Sequence, residues 1–253
     1  MLIVNLPYIG SSKVPGSNLG FSTFLKNVIF EKDKYFKYNE FLDMTRYDDI
    51  KMFNNCIDII NNSIETGKNV LIFGGDHSTT EFIYSKVLKN KINNIIIFDA
   101  HNDYEKVFCG KVYNWNFINV LENYVESALF LGYRYKDENM IKCGRFIYLE
   151  DIDFLSPNYV KSILKEYCKG ISTIYISIDL DVLNPIEFPG VGFKVSGGIS
   201  LRELLFAIKY ISKYCNQLII DIVEFNPIVE KTISLNVINR LIKEIIDLDK
   251  DIT

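Results

Sequence analysis

Four short runs in this 253-residue chain are apolar at almost every position: Val70–Phe73, Asn94–Phe98, Thr173–Ile178 and Leu218–Val223. A strand buried on one face alternates apolar and polar residues; a strand buried on both faces does not. Between the runs lie longer stretches with helical spacing. The sequence predicts helices near Thr79–Leu88, from Ser156 to before Gly170, from Ser200 to about Tyr214, and from about Thr232 to Leu248. Ser200-Leu201-Arg202-Glu203 has the spacing of a capping box. Ala128–Leu131 and Phe146–Leu149 are further strand candidates. Strands alternating with helices imply a parallel sheet covered on both faces, and no linker, repeat or charge block divides residues 1–253, so a single α/β domain is expected.

In open parallel sheets, sites form beyond the carboxyl ends of the strands. Here those positions carry the chemistry. Gly74-Gly75-Asp76-His77-Ser78 follows the first run, Asp99-Ala100-His101-Asn102-Asp103 the second, Asp179-Leu180-Asp181 the third, and Glu224 the fourth. His77 and His101 are the only two histidines in the chain. In an extended segment Asp99, His101 and Asp103 share a face, as do Asp179 and Asp181. With His77 they make six ligand candidates, four carboxylates and two imidazoles, a set that suits divalent ions such as manganese. Four clustered aspartates repel one another unless cations neutralise them. Two ions a few ångströms apart can share a water and turn it into hydroxide at neutral pH.

Composition narrows the field. The net charge of -4 speaks against a nucleic-acid partner, and two divalent ions would bring the chain near neutrality. No apolar stretch is long enough to span a membrane. The N-terminal Leu2-Ile3-Val4 lacks the basic start and longer apolar core of a signal peptide. Cys56, Cys109, Cys143, Cys168 and Cys215 are odd in number and widely spaced, which fits reduced thiols in a cytoplasm.

Taken together, these motifs resemble those of the ureohydrolase family of arginase, agmatinase and formimidoylglutamase. The family signatures GGDHS, DAHxD and SxDxDxxDPxxxPGxGxPxxGG are matched by Gly74–Ser78, by Asp99–Asp103, and by Ser177–Pro185 running on through Pro189-Gly190-Val191-Gly192 to Gly197-Gly198. Asp221-Ile222-Val223-Glu224-Phe225-Asn226-Pro227 is similar to its D-x-x-E-x-N-P, and Gly132-Tyr133-Arg134 to its G-x-R loop. The resemblance implies a three-layer α/β/α fold with a parallel sheet of roughly eight strands, and two Mn²⁺ per chain. His77, Asp99, Asp103 and Asp179 would hold one ion; Asp99, His101, Asp179 and Asp181 the other, with Asp99 and Asp179 bridging. It implies hydrolysis of a guanidino or amidine C–N bond with release of urea. Glu224 would pair with the cationic group and Asp103 would relay a proton, which makes these two the expected catalytic residues. Family members often assemble into trimers or hexamers, so a homo-oligomer is open.

The chain also departs from the pattern. Many members carry a further histidine some ten residues past DAHxD; here the region reads Gly110-Lys111-Val112-Tyr113-Asn114-Trp115-Asn116-Phe117. Trp115, the only tryptophan, is either a substrate wall or core packing. Asn184 stands where the family has aspartate before Pro185. Trp115 and Asn184 join Glu224 as candidate substrate contacts. The residues that would hold the α-amino and α-carboxylate groups of free arginine are not recognisable after Asp103. The substrate is therefore open between arginine within a peptide (giving ornithine), agmatine and a related guanidino compound. Two rival readings remain: a metal hydrolase like the deacetylases, whose paired catalytic histidines this chain lacks, and a non-catalytic metal-binding member with a regulatory or binding role.

Overall fold

The computed structural model describes residues 1–10, 12–31, 40–44, 50–89, 91–107, 110–134, 144–148 and 157–249. Its centre is one sheet of eight strands: β1 (Leu2–Asn5), β2 (Glu40–Asp43), β3 (Val70–Phe73), β4 (Asn94–Phe98), β5 (Ser127–Tyr133), β6 (Gly144–Tyr148), β7 (Thr173–Asp179) and β8 (Gln217–Val223). Every neighbouring pair runs parallel, in the order β2-β1-β3-β8-β7-β4-β5-β6. The sequence expectation of a parallel sheet of roughly eight strands is met.

β3 and β4 each serve two cores. Leu71 and Phe73 of β3, with Ile96 and Phe98 of β4, face one apolar layer; Val70 and Ile72, with Ile95 and Ile97, face the other. This is why the strands read as continuous apolar runs. The first layer is closed by α1 (Gly20–Lys26), α5 (Pro157–Tyr167), α6 (Leu201–Ile211) and α7 (Thr232–Leu248), which contribute Phe24, Leu164, Leu204 and Leu241 among others. The second is closed by α2 (Ile50–Glu65), α3 (Ser78–Ile83) with the π-helical turn Tyr84–Leu88 that continues it, and α4 (Phe117–Leu121). Burying each large aliphatic side chain contributes roughly 1.5–3 kcal/mol, so these two layers dominate the favourable side of folding.

Local signals set the helix ends. Ser200 Oγ accepts from the Glu203 N–H at 3.2 Å, while Glu203 Oε2 accepts from the Ser200 N–H at 2.7 Å. The capping box thus forms, though α6 stops at Ile211 rather than near Tyr214. The predicted Thr79–Leu88 helix is the α3 segment plus its π turn. Leu149 and Ser156, predicted as strand and helix ends, lie outside the described residues, as do Cys109 and Cys143. Cys56, Cys168 and Cys215 are buried free thiols. Among the described residues, no helix is long and apolar enough to cross a membrane.

The sheet order explains the site. β3, β8, β7 and β4 are consecutive at its centre, and their carboxyl ends stand side by side: Phe73 opposite Ile222, Asp179 opposite Val223, Phe98 opposite Ile178. The four motif-bearing loops therefore leave the sheet at one rim.

Candidate metal centre

His77, fully buried, is the hub. Its Nδ1 lies 3.0 Å from Asp99 Oδ2, 3.1 Å from Asp179 Oδ2 and 3.3 Å from Asp103 Oδ2. Close as these oxygens are, Nδ1 is left a buried polar atom without a hydrogen-bond partner. A nitrogen ringed by three carboxylate oxygens and bonded to none is the arrangement a cation completes. His101 forms a second focus, with Nδ1 2.7 Å from Asp181 Oδ2 and 3.7 Å from Asp99 Oδ1. Two ligand groups follow, His77-Asp99-Asp103-Asp179 and Asp99-His101-Asp181, each with donor atoms within 4.8 Å of one another. Asp99 belongs to both and offers one oxygen to each. Asp179 stands in the first only, and its Oδ1 accepts from the Asp181 N–H at 2.8 Å.

The route by which these side chains meet differs from simple strand alternation. Asp181 sits in a short 3-10 turn, Leu180–Val182, capped by Asp179. Asp103 turns back toward His77 through a left-handed backbone, φ 42°. Asp103 and Glu224 (φ 66°) are the only non-glycine residues with positive φ among those described. Such conformations are unfavourable for side-chain-bearing residues and persist where surrounding structure imposes them.

Behind His77 lies a buried polar network. Its Nε2 is 3.0 Å from Ser177 Oγ, which is 2.9 Å from Thr80 Oγ1; Thr80 donates to Asp221 Oδ2 at 2.8 Å. The Tyr175 hydroxyl also donates to Asp221. With Nε2–H directed at Ser177, Nδ1 presents its lone pair to the carboxylate cluster, as a metal ligand must. Asp76 of the same motif is not in the cluster. It accepts from the N–H groups of Ser78 and Gly10, at 3.1 and 3.3 Å, and fastens the 8–10 segment to the motif. Gly75 permits that approach: a Cβ there would lie 2.1 Å from the Tyr8 carbonyl oxygen.

Without a cation the charges are poorly matched. Burial, reinforced by Asp99, pushes the Asp103 carboxyl up to about 7. Burial and then Asp181 and Asp99 raise Asp179. Burial opposes a charged His101, yet Asp181 and Asp99 outweigh it and push the imidazole up to about 12. The cluster thus retains protons that divalent cations would displace. Its hard oxygen donors with two imidazoles and no thiolate fit manganese chemistry.

Glu224, 7% exposed, opens onto the same space. Its Oε1 accepts from the His77 N–H at 3.0 Å and from Asn114 Nδ2 at 3.1 Å. Burial, then Asp76, pushes its carboxyl up to about 8. The cavity, about 210 Å³, is lined at its inner end by Asp103, Asp179, Asp181, His101 and Glu224. A family model, the arginase family, matches residues 3–247. The chain belongs to the arginase family. A Staphylococcus aureus (strain COL) arginase is 28% identical over 222 residues, 76% of this chain and 72% of that protein. Among solved structures, the agmatine ureohydrolase of Thermoplasma volcanium superposes with a TM-score of 0.79 at 20% identity, covering 98% of this chain and 89% of that one. An arginase from Bacillus subtilis gives 0.78 at 22%, covering 97% and 98%. At such identities the likeness of structure speaks for the fold alone.

Within this arginase-family chain, the departures from the motifs take definite places. Trp115 is half-buried in the cavity wall, not in the core. Asn114, in the segment where the further histidine would stand, holds Glu224. Asn184 is not among the residues that line the cavity; its Oδ1 accepts from the Ile186 N–H at 2.9 Å and shapes the following turn. Arg134 of the G-x-R loop lies behind the ligands, donating from Nη2 to the carbonyls of Asp181 (3.0 Å) and Val182 (2.7 Å). The sequence alone assigned no role to Asn114, Ser177 or Lys13. Ser177 was visible as the first residue of its motif; Lys13 carries no pattern at all.

Proposed function

We propose that this chain is a manganese-dependent ureohydrolase that cleaves a guanidino C–N bond with release of urea. The observation that carries the reading is His77 Nδ1, buried among three carboxylate oxygens without a hydrogen bond, a few residues from a cavity that ends on Glu224. One Mn²⁺ would be held by His77, Asp99, Asp103 and Asp179, and a second by Asp99, His101 and Asp181, with Asp179 adjacent. Such ions, when bound, supply Lewis acidity and a hydroxide nucleophile at neutral pH.

The chain's own groups do the rest. Glu224 presents a carboxylate to the planar donor fork of a guanidinium. Its Oε1 is fixed by Asn114 and His77, which leaves Oε2 for the substrate. Asp103, at the cavity wall, takes the proton of the attacking water and gives it to the leaving nitrogen. Guanidinium and water thereby become urea and an amine. The cavity is small, and of its carboxylates Glu224 alone is outside the ligand groups, which fits a single guanidino group, whether on a small molecule or on an arginine side chain in a peptide. A urea-release screen of the manganese-loaded chain tests this, with free arginine, arginine-containing peptides, agmatine and guanidinobutyrate side by side. Urea from at least one substrate is expected. Full metal loading with no urea from any of them favours a non-catalytic binding protein.

A further inference from the structure

The cavity runs from buried acid to exposed base. Asp179, Asp181 and Glu224 form its inner end and are buried; Trp115 is half-buried; Lys13 is exposed. Among the described residues lining this cavity, Lys13 is the only lysine or arginine. Its ammonium stands over the Trp115 ring, 4.7 Å from the centroid. That ring stacks on Tyr113, with centroids 4.5 Å apart and planes within 5°. A cation seated on an aromatic face is held in place without being neutralised, so it remains available to an anion. Val191 and Phe193 supply apolar surface on the same wall.

A substrate whose guanidinium meets Glu224 must send its other end past Trp115 toward Lys13. A second cation there would be repelled by the exposed ammonium, and a carboxylate would pair with it. Resting on the ureohydrolase reading above, we propose that Lys13 is a specificity residue that selects guanidino compounds bearing a carboxylate at the far end over dicationic ones. The chemical class is an ω-guanidino carboxylate, recognised by Glu224 at one end and Lys13 at the other. The edge of the Trp115 ring, whose faces Lys13 and Tyr113 occupy, borders the methylene chain between them.

Trp115 is the only tryptophan in the chain, so its fluorescence reports ligand binding without turnover. Guanidinobutyrate and agmatine are close in length and opposite in terminal charge. Titrated into the manganese-loaded protein, guanidinobutyrate is expected to bind about fivefold more tightly than agmatine, the scale of one exposed ion pair. Lys13→Met should erase that preference, and Lys13→Glu should shift the affinity ratio by roughly 20-fold toward agmatine. Lys13→Arg should keep it. In the urea assay the same changes should fall in KM. A ratio that stays within about twofold of wild type in Lys13→Glu overturns the inference. So does tighter binding of agmatine by the wild-type chain. Binding with a Lys13-dependent preference but no urea release upholds the inference and removes the hydrolase reading. Failure of both ligands to bind removes the two together.

Discussion

Asn114 Nδ2 lies 3.1 Å from Glu224 Oε1, joining two loops 110 residues apart in the chain at the inner end of the cavity. The pairing fixes a carboxylate whose backbone is already held in a left-handed conformation. A hydrogen bond to a charged group is worth about 1.5–3 kcal/mol. Asn114→Ala is therefore expected to lower kcat/KM for urea release about 10-fold or more, and Glu224→Gln further still, because it also removes the charge opposite the guanidinium. Steady-state kinetics check both. An Asn114→Ala enzyme within about twofold of wild type would show that the pairing does not orient Glu224.

The relay behind His77 makes a separate prediction. Ser177 Oγ sits between His77 Nε2 and Thr80, with Asp221 beyond. Groups that orient a ligating imidazole typically change metal affinity 10–100-fold. Ser177→Ala should weaken Mn²⁺ binding about 10-fold, with activity recovered at high metal concentration. Activity that stays low at saturating metal would instead place Ser177 in the chemistry.

Proton linkage has a definite sign. Asp103, held up to about 7 against an ordinary 3.8, and Glu224, up to about 8 against 4.5, keep protons in the metal-free fold that the unfolded chain loses. His101, pushed up to about 12 from 6.5, behaves alike. The stability these groups contribute is present below their ordinary values and is lost as pH rises through the folded ones. The metal-free chain should therefore melt lower at about pH 8 than at about pH 5. Metal binding displaces the same protons, so manganese affinity and its gain in Tm should both rise with pH. Calorimetric titrations in buffers of differing ionisation enthalpy should show proton release. Equal Tm values with no proton release would contradict this account of the cluster.

Arg134 braces the ligand loop from outside the cavity. Gly198, at φ 111°, lies so close that a Cβ would come within 2.3 Å of Arg134 Nη2 and 2.6 Å of the Asn184 nitrogen. Gly198→Ala should cost about 1–3 kcal/mol of stability through backbone strain. It should also loosen metal binding through displacement of Asp181. Thermal unfolding and metal retention measured on one sample would test both effects. A variant unchanged in both would mean that the brace is dispensable.

What could be read in the sequence follows from what local chemistry encodes. β3, β4, β7 and β8 were visible because a strand buried on both faces must be apolar throughout, and their loops because histidine and paired aspartates at strand ends have few other uses. β1 was not: its apolar Leu2-Ile3-Val4 was weighed only against a signal peptide, although Leu2–Asn5 is as short and as buried as β3 and pairs with β2 and β3. α2 was missed as well, its asparagine-rich face masking the buried Cys56, Ile60 and Ile64. The site was readable as a set of residue types but not as a geometry. Alternation along an extended chain does not describe how these side chains meet, since Asp103 reaches His77 through a left-handed turn. Lys13 and Asn114 lie in loops without periodicity, and only the folded chain brings them to the cavity. Asn184 shows the converse: its place in a motif suggested a substrate contact, and the structure gives its oxygen to the Ile186 N–H.

The most direct test of the central claim is the number of Mn²⁺ ions retained per chain after equilibrium dialysis, compared between wild type and Asp181→Ala. The account predicts two in the wild-type protein, fewer in the variant, and loss of urea release with the missing ion. A wild-type chain that retains none, or an Asp181→Ala chain that keeps the full complement and near-normal urea release, would contradict it.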